Sequence, residues 1–455
     1  MGFFKAYDMR GTFGVDFGLD TVEKVGEALP KVVGGTCWLV GRDARTSSPA
    51  VHDALVAGLS KAGVSVSDIG LCTTPMIYFF TAEDGYDGSV MITASHNPPG
   101  DNGLKVSKRT ALPVGYANGL DKVERMVAES KGVYCAPDAA TDGQSPCPEA
   151  LARYIEWQKA ATDDSSFATL RYAVDCSNGM ASILAHEMFP GAEFLNDTLD
   201  GSFPYHSPNP LKSDAREQLA ALVRRKGLDF GIIFDGDADR CMFVDGNGDF
   251  VQPDYLVPVV ARATLAATGP KCGERPKVIH DVRTSRGAIE ALREMGCKPV
   301  MVPVGHAFAK PILRECGAVC GGELAGHYYF SEFFGCDSGV LAARRIVVEI
   351  ARAKAAGTTF AEMMAPISKR YANSGELNFR VEDKDAAIAR VLEVAAKFLP
   401  AELSRSELDG IRIEYAEGWM NIRKSNTEPY LRLIAECDTA ARLSEWTGVL
   451  KSVIA

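Results

Sequence analysis

One pentad occurs twice in this chain of 455 residues, each time in the same surroundings. The first copy is Asp43-Ala44-Arg45-Thr46-Ser47, inside "WLVGRDARTSSPAVHDALVAGLSKAGVSV" (Trp38–Val66). The second is Asp281-Val282-Arg283-Thr284-Ser285, inside "KVIHDVRTSRGAIEALREMGCKPVMV" (Lys277–Val302). Both read as an apolar strand, the pentad, an amphipathic helix, a glycine and another strand. Between them, "RYAVDCSNGMASILAHEMFPGAEFL" (Arg171–Leu195) follows the same order more loosely: strand, Asp175, a Ser-Asn-Gly turn, helix, strand. Any α/β chain repeats strand, loop and helix, but a matched pentad at one place in both copies points to duplication.

Each unit is followed by a further apolar strand that runs into an unusual loop: "GSVMITASHNP", then "DFGIIFDGDADR", then "GAVCGGELAGHYYF". Strands alternating with helices imply crossover units and a mainly parallel sheet, and ligand groups gather beyond the carboxyl ends of such strands. Three related units therefore aim three loops at one topological place. The last hundred residues differ. "DAAIARVLEVAAKFL" has helical spacing, "IRIEYAEGWMNIRKSNTEPYLRLIAE" alternates as antiparallel strands do, and Asp438 is placed to cap a final helix. The expected architecture is α/β: three related α/β domains with mainly parallel mixed sheets, plus a smaller C-terminal α+β domain. The expected bounds are 1–145, 146–250, 251–367 and 368–455, with linkers read at Ala136–Pro148, Asp249–Pro253 and Pro366–Asn373.

Composition narrows the function classes. Net charge is −10 and no basic stripe is present, so nucleic acid is not an expected partner. No apolar run reaches the ~18 residues of a membrane span; "YLVPVVARATLAA" is broken by Pro258 and Arg262. The twelve cysteines lack zinc-site spacing and read as reduced thiols. "MGFFKAYDMRG" has neither a signal core nor a myristoylation pattern, so a cytoplasmic protein is expected.

The loops carry the chemistry. In "FDGDADR", Asp235, Asp237 and Asp239 alternate, and in extended backbone they would project to one side. Three crowded carboxylates repel unless a cation joins them, and oxygen-only ligands suit Mg²⁺ or Ca²⁺. An EF-hand is excluded, because Arg240 and Gly246 stand where its Gly and Glu belong. Ser95 gains interest from its company: His96, the stiff Pro98-Pro99 turn and Lys105. A phosphoryl group on Ser95 could complete the shell of that cation. His96 reads equally as a structural residue. "GGELAGHYYF" offers Glu323 and His327 for sugar hydroxyls, and "VGHAFAK" offers His306 and Lys310, although a helix start explains the latter equally. "RKSNTEP" places Arg423, Ser425, Asn426 and Thr427 in one tight loop, a phosphate receptor by its donors or else a hairpin turn.

Seven segments together resemble the α-D-phosphohexomutase family: "AYDMRG", "TASHNP", "DNGLK", "DGDADR", "VGHAFAK", "GGELAGH" and "RKSNTEP", in the family's order and across nearly the whole chain. "PNPL" and "CDSG" are similar to its phosphomannomutase branch in particular. The resemblance implies four domains around a central cleft, closed by the last domain. It implies a phosphoserine at Ser95, Mg²⁺ on Asp235, Asp237 and Asp239, and Arg240 and Lys105 beside the transferring phosphate. Tyr7 and Arg10 would shape the site. Glu323 would bind sugar hydroxyls with His306 and His327 close by, and Arg283 would meet substrate where relatives commonly have Lys. Arg423, Ser425, Asn426 and Thr427 would hold the distal phosphate. The implied reaction interconverts mannose 6-phosphate and mannose 1-phosphate, with hexose 1,6-bisphosphate as intermediate and activator. The protein would act on sugar phosphates as a monomer or small homo-oligomer. His327, His306 and Lys105 are all candidates for the base. Ala325 replaces a Ser common in the sugar loop and leaves mannose against glucose open, while Leu324 and Asn426 argue against a phosphoglucosamine mutase. Two rivals remain at this point. One is a haloacid-dehalogenase-like phosphatase with Asp235 as nucleophile; the other is a non-catalytic sugar-phosphate binding protein.

Overall fold

Three sheets of one design stand in series, followed by a fourth of another kind, in a computed structural model that describes residues 2–130, 146–269, 275–425 and 430–454. The first sheet holds β1 (Met9–Thr12), β2 (Cys37–Arg42), β3 (Ser65–Leu71), β4 (Gly88–Ile92), β5 (Asp101–Lys108) and β6 (Leu112–Pro113). Its order is β1-β5-β4-β2-β3, with β6 on β5. β2, β3 and β4 are parallel, and β5 returns antiparallel beside β4. The second sheet holds β7 (Tyr172–Asp175), β8 (Glu193–Leu195), β9 (Phe230–Phe234), β10 (Cys241–Asp245) and β11 (Phe250–Val251). The third holds β12 (Lys277–Asp281), β13 (Lys298–Val302), β14 (Cys320–Gly322), β15 (Tyr328–Phe330) and β16 (Cys336–Asp337). In each, three parallel strands are extended by an antiparallel hairpin partner. The loops holding Ser95, Asp235–Arg240 and Glu323–His327 are the β4–β5, β9–β10 and β14–β15 connections, one place in one repeated topology.

The fourth sheet is antiparallel in every described pairing. It holds β17 (Ala372–Asn373), β18 (Leu377–Phe379), β19 (Glu402–Ser406), β20 (Ile411–Tyr415), β21 (Gly418–Lys424) and β22 (Leu431–Cys437). Helices Lys384–Phe398 and Ala440–Lys451 cover it, burying Val391, Ala395, Trp446 and Leu450 against Ile413, Met420 and Leu433. Thr439, rather than Asp438, caps the last helix, its hydroxyl accepting from the Arg442 amide. The shorter Thr side chain in extended backbone reaches back to the first turn.

Two features decide how the units meet. One apolar core runs through the first three, taking in Leu39 and Phe79, then Tyr172 and Phe230, then Tyr328 and Phe333. The C-terminal unit has its own core and touches the third through Leu324, Trp419 and Ile434. Helix Leu19–Val33 crosses helix Ser48–Lys61 at Gly26 and Gly58; a Cβ on Gly58 would lie 2.0 Å from the Glu23 carbonyl oxygen. The second unit departs from its expected pattern. The helix after its first strand is reduced to a 3-10 turn at Met180–Ile183 and one α-turn at Ala185–Met188. Gly179, just before the 3-10 turn, packs against Gly236: a Cβ there would lie 2.7 Å from the Gly236 carbonyl oxygen. The Ala136–Pro148 linker lies mostly outside the described residues. No helix among the described residues is long and apolar enough to cross a membrane. The described cysteines are free thiols.

Candidate active site

β4 ends at Ile92, and the backbone turns sharply at Ser95, whose φ is +51°. A non-glycine residue in the left-handed region is uncommon, and here local bonds hold it: the Ser95 amide donates to Thr93 Oγ1 at 2.8 Å. The turn swings the side chain toward the second unit. Ser95 Oγ donates to Asp235 Oδ2 at 2.9 Å and accepts from Arg240 Nη2 at 2.6 Å. Arg240 is tied in turn to Asp235 Oδ2 at 2.8 Å and also meets His96 Nδ1. Burial, then the charges of Arg240, Arg10 and Lys105, push His96 well below the ordinary histidine range, so its ring is neutral.

Asp235, Asp237 and Asp239 are fully buried, and one oxygen of each lies within 4.8 Å of the others. They converge by a different route from the one expected. The segment is a tight turn, with Ala238 at φ +60°, rather than extended strand. Lys105 on β5 reaches across from the first unit, its Nζ 2.6 Å from both Asp237 Oδ2 and Asp239 Oδ2. Thr74, at the start of helix Thr74–Glu83, donates to Asp237 Oδ2 at 2.5 Å. Burial alone would raise Asp239, but Lys105 and His327 overcome it and hold this carboxyl below the usual range. Asp235 goes the other way: burial pushes it up to about 7, opposed by Arg240 and reinforced by Asp239 and Asp237.

The donor set suits a divalent cation. It is all oxygen, and the buried Asp237 Oδ1 and Asp239 Oδ1 have no hydrogen-bond partner. Two unsatisfied carboxylate oxygens beside a serine hydroxyl are the arrangement a hard cation would satisfy. A second grouping, Asp239, His327 and Asp337, also has metal-like spacing, but Lys310 Nζ already lies 2.7 Å from Asp337 Oδ1.

The third unit closes the site. His327 Nδ1 bonds Asp337 Oδ2 at 2.7 Å and lies 3.8 Å from Asp239 Oδ1. Burial opposes protonation of this ring, but Asp239 and Asp337 outweigh it and raise the group. His306 starts helix His306–Cys316, 6.0 Å from the His327 ring centroid to centroid; burial and Lys310 push it well below the ordinary value. Lys310 is buried in that helix and lies over the Tyr78 ring. Glu323 accepts from the Tyr329 hydroxyl and, at 3.3 Å, from the Gly305 amide. Tyr7 packs on Gly305 and donates to the Val304 carbonyl at 2.8 Å. Arg10 pairs with Asp8 at 2.5 Å and reaches Asn97 Oδ1 at 3.3 Å.

Arg283 does not stand alone. It is anchored on Asp281 at 2.6 Å, and its Nη1 meets Glu376 Oε1 at 3.2 Å. The same Glu376 receives Arg423 at 3.2 Å and Arg432 at 2.8 Å, so one carboxylate gathers three guanidinium groups from the third and fourth units. Burial would raise Glu376, yet Arg283, Arg423 and Arg432 pull it down to about 2. Sequence reasoning missed Glu376 and Arg432, which belong to no chemical motif. It also missed Thr74 and the role of Asp337, although Asp337 lies in the quoted "CDSG". The Ser425 amide donates to the Tyr430 carbonyl at 2.9 Å; Asn426 and Thr427 lie outside the described residues.

Comparison with known proteins converges on one family. Models described as phosphoglucomutase/phosphomannomutase alpha/beta/alpha domains I, II and III match residues 1–132, 150–248 and 252–371, and the C-terminal domain matches 376–448. A protein named "Phosphohexose mutases" from Xanthomonas campestris is 36% identical over 448 residues, covering 97% of this chain and 96% of its own. A phosphomannomutase from Escherichia coli is 35% identical over 465 residues, covering 98% and 99%. The crystal structure of a phosphoglucomutase/phosphomannomutase family protein from Burkholderia thailandensis superposes with a TM-score of 0.81 at 28% identity, over 99% of this chain and 96% of that one. With four matched domains in order and relatives aligned end to end, the chain belongs to the phosphoglucomutase/phosphomannomutase family and is a phosphohexomutase, an enzyme of the isomerase class.

Proposed function

We propose that the enzyme interconverts mannose 6-phosphate and mannose 1-phosphate by passing a phosphoryl group through Ser95. The observation that carries this reading is the Ser95 hydroxyl, held 2.9 Å from Asp235 Oδ2 and 2.6 Å from Arg240 Nη2 at the rim of the aspartate cluster. Phosphorylated Ser95 gives its phosphoryl group to the free hydroxyl of the sugar phosphate. The phosphorus bond to Ser95 Oγ breaks, a bond to the sugar oxygen forms, and the hydroxyl proton passes to a base. The product is a hexose 1,6-bisphosphate. It turns over inside the cleft, returns its other phosphoryl group to Ser95 Oγ, and takes a proton on the sugar oxygen left behind.

The surrounding residues divide this work. Lys105, fixed between Asp237 and Asp239, serves as a stationary cation, which leaves His327 and His306 to carry the proton. Asp235, Asp237, Asp239 and an oxygen on Ser95 would hold Mg²⁺, which when bound neutralises charge on the phosphoryl group in transfer. Arg240 holds the serine oxygen. Glu323 addresses the sugar hydroxyls, with Tyr7 and Arg10 along the wall. Arg423, Ser425, Asn426 and Thr427, with Arg283 and Arg432, take the distal phosphate in place of the Glu376 carboxylate. A receptor on the C-terminal unit can close over the sugar and exclude the water that would hydrolyse the phosphoserine. In this reading the domains meet near residues 145, 250 and 367, and the enzyme works in the cytoplasm as a monomer or small homo-oligomer.

Ala325 offers no hydroxyl to the sugar loop, so the axial or equatorial 2-hydroxyl is read by other groups. The deciding experiment supplies mannose 1-phosphate and glucose 1-phosphate side by side, with Mg²⁺ and a trace of hexose 1,6-bisphosphate, and follows both by phosphorus NMR. Conversion of mannose 1-phosphate at the higher kcat/KM is expected. Faster conversion of glucose 1-phosphate would reassign the substrate, and conversion of neither would defeat the reading.

A further inference from the structure

The repeated pentad puts an arginine at the same place in two units, and the two side chains do different things. Arg283 reaches out of the third unit to Glu376. Arg45, its counterpart, turns inward and is sealed at 1% exposure. All five of its guanidinium N–H groups have acceptors. Nε donates to Asp43 Oδ2 at 3.0 Å, Nη1 to the carbonyls of Pro98 at 2.5 Å and Asp101 at 2.9 Å, and Nη2 to those of Ser95 at 2.9 Å and Asn97 at 2.8 Å. Four of the five bonds therefore go to backbone oxygens of the one loop that carries Ser95. Asp43 is braced in turn by the Ser48 hydroxyl at 2.5 Å, and Ser48 by Asn102 at 3.0 Å.

The second unit covers this arrangement from outside. The Phe203 ring lies 5.1 Å from Arg45 Cζ, and Phe203 itself holds φ at +49°. A bulky residue in that region is strained, and such strain persists only where its surroundings impose it. Gly201 lets the same loop press on the pentad: a Cβ there would meet the Ala44 carbonyl oxygen at 2.0 Å.

We propose that Arg45 is the positioning residue for the phosphoryl-carrying serine, its guanidinium locking loop 95–101 so that Ser95 Oγ faces Asp235 and Arg240, with Phe203 as the cover that keeps water off the lock. The proposal rests on Ser95 as phosphoryl carrier for its kinetic arm, but not for its structural arm. A planar fork with five fixed donors is needed to collect four carbonyls at once. An ammonium group has three donors and no plane, so Lys cannot replace it.

The test uses the full-length enzyme with Arg45→Lys, Arg45→Ala and Phe203→Ala. Hydrogen–deuterium exchange of the peptide spanning residues 93–105 reads the structural arm without reference to activity. Arg45→Ala is expected to speed exchange there by at least ~10-fold while the C-terminal sheet is unchanged, as lost buried bonds imply. Unchanged exchange in that peptide overturns the proposal whatever the activity does. In the kinetic arm, Arg45→Lys and Arg45→Ala are expected to lower kcat about 10²-fold with KM for the hexose phosphate within threefold, because small misplacement at the reacting atom has that effect. Millimolar guanidinium is expected to restore part of the kcat of Arg45→Ala, which a general loss of packing would not allow. Phe203→Ala, which keeps the guanidinium, is expected to lower kcat by ~3–10-fold on the same principle. A kcat within twofold of the parent in Arg45→Ala, or a loss matched by KM and untouched by guanidinium, overturns the positioning role. Should the parent enzyme take no phosphoryl group on Ser95 while exchange still rises in Arg45→Ala, the carrier reading fails and the lock on the loop stands.

Discussion

Replacing Lys105 by Met keeps the side chain as far as Cε and removes the one ammonium that two buried carboxylates share. With all three aspartates ionised against Lys105 and Arg240, the cluster in the parent carries one formal negative charge. The variant carries two, at positions where the side chains of Asp237 and Asp239 are fully buried. Removing one partner of a buried pair costs about 3–5 kcal/mol. At about 1.3 °C per kcal/mol for the three units that share one core, melting in EDTA should fall by roughly 4–7 °C. Added Mg²⁺ supplies the missing charge, and saturation at about a hundred times Kd returns ~2.7 kcal/mol. The more negative cage in the variant should draw the larger gain, so Lys105→Met melts closer to the parent in Mg²⁺ than in EDTA. Differential scanning calorimetry of both proteins in EDTA and in a Mg²⁺ series measures all four quantities. Turnover should fall ~10²–10³-fold, the effect of losing one fixed charge aimed at a transition state. Coincident melts in EDTA, or a larger Mg²⁺ gain in the parent, would refute the charge accounting.

Three further outcomes are expected. Glu376→Gln frees Arg283, Arg423 and Arg432 from their shared carboxylate; KM for the sugar phosphate should fall ~3–10-fold while the melting temperature drops, and a rise in KM would show that Glu376 orients the arginines instead. Asp254 is fully buried, and burial raises its carboxyl to about 7, with Glu436 and Asp281 adding to the effect and the Ser285 amide opposing it. Its folded form holds the proton more tightly than the unfolded one, so stability falls as pH rises from ~4 to about 7; Asp254→Asn should flatten that slope in urea titrations, and an unchanged slope counts against it. Removal of divalent cations from the parent should abolish turnover, and Mg²⁺ should restore it with Asp235, Asp237 and Asp239 intact but not in Asp237→Asn, measured by atomic absorption and rate together.

The duplicated unit was legible because its signals are local. A pentad, a helical period and an apolar strand can each be read from neighbouring residues, and the repeated topology then places three loops together. What escaped depends on local backbone turns that no residue type announces, or on partners distant in the chain. Asp235, Asp237 and Asp239 were expected to converge by alternation along a strand; they converge through a turn with Ala238 in the left-handed region, which no residue type there announces. Glu376 belongs to no motif in "NSGELNF", and the fold brings three arginines to it. Arg45 and Arg283 share a motif, yet one donates to carbonyls of the Ser95 loop and the other reaches Glu376 of the fourth unit, partners that lie far along the chain from either arginine. The common core of the first three units was hidden for the same reason. An amphipathic helix shows that a face is buried, not against what.

The most direct measurement is the site of covalent phosphorylation. The enzyme is incubated with hexose 1,6-bisphosphate and Mg²⁺, digested, and the phosphoryl group mapped by mass spectrometry, beside Ser95→Ala treated in the same way. An acid-stable phosphoryl group on the peptide carrying Ser95, absent from Ser95→Ala together with mutase turnover, is the result this account predicts. An acid-labile group on Asp235, or full turnover in Ser95→Ala, would contradict it.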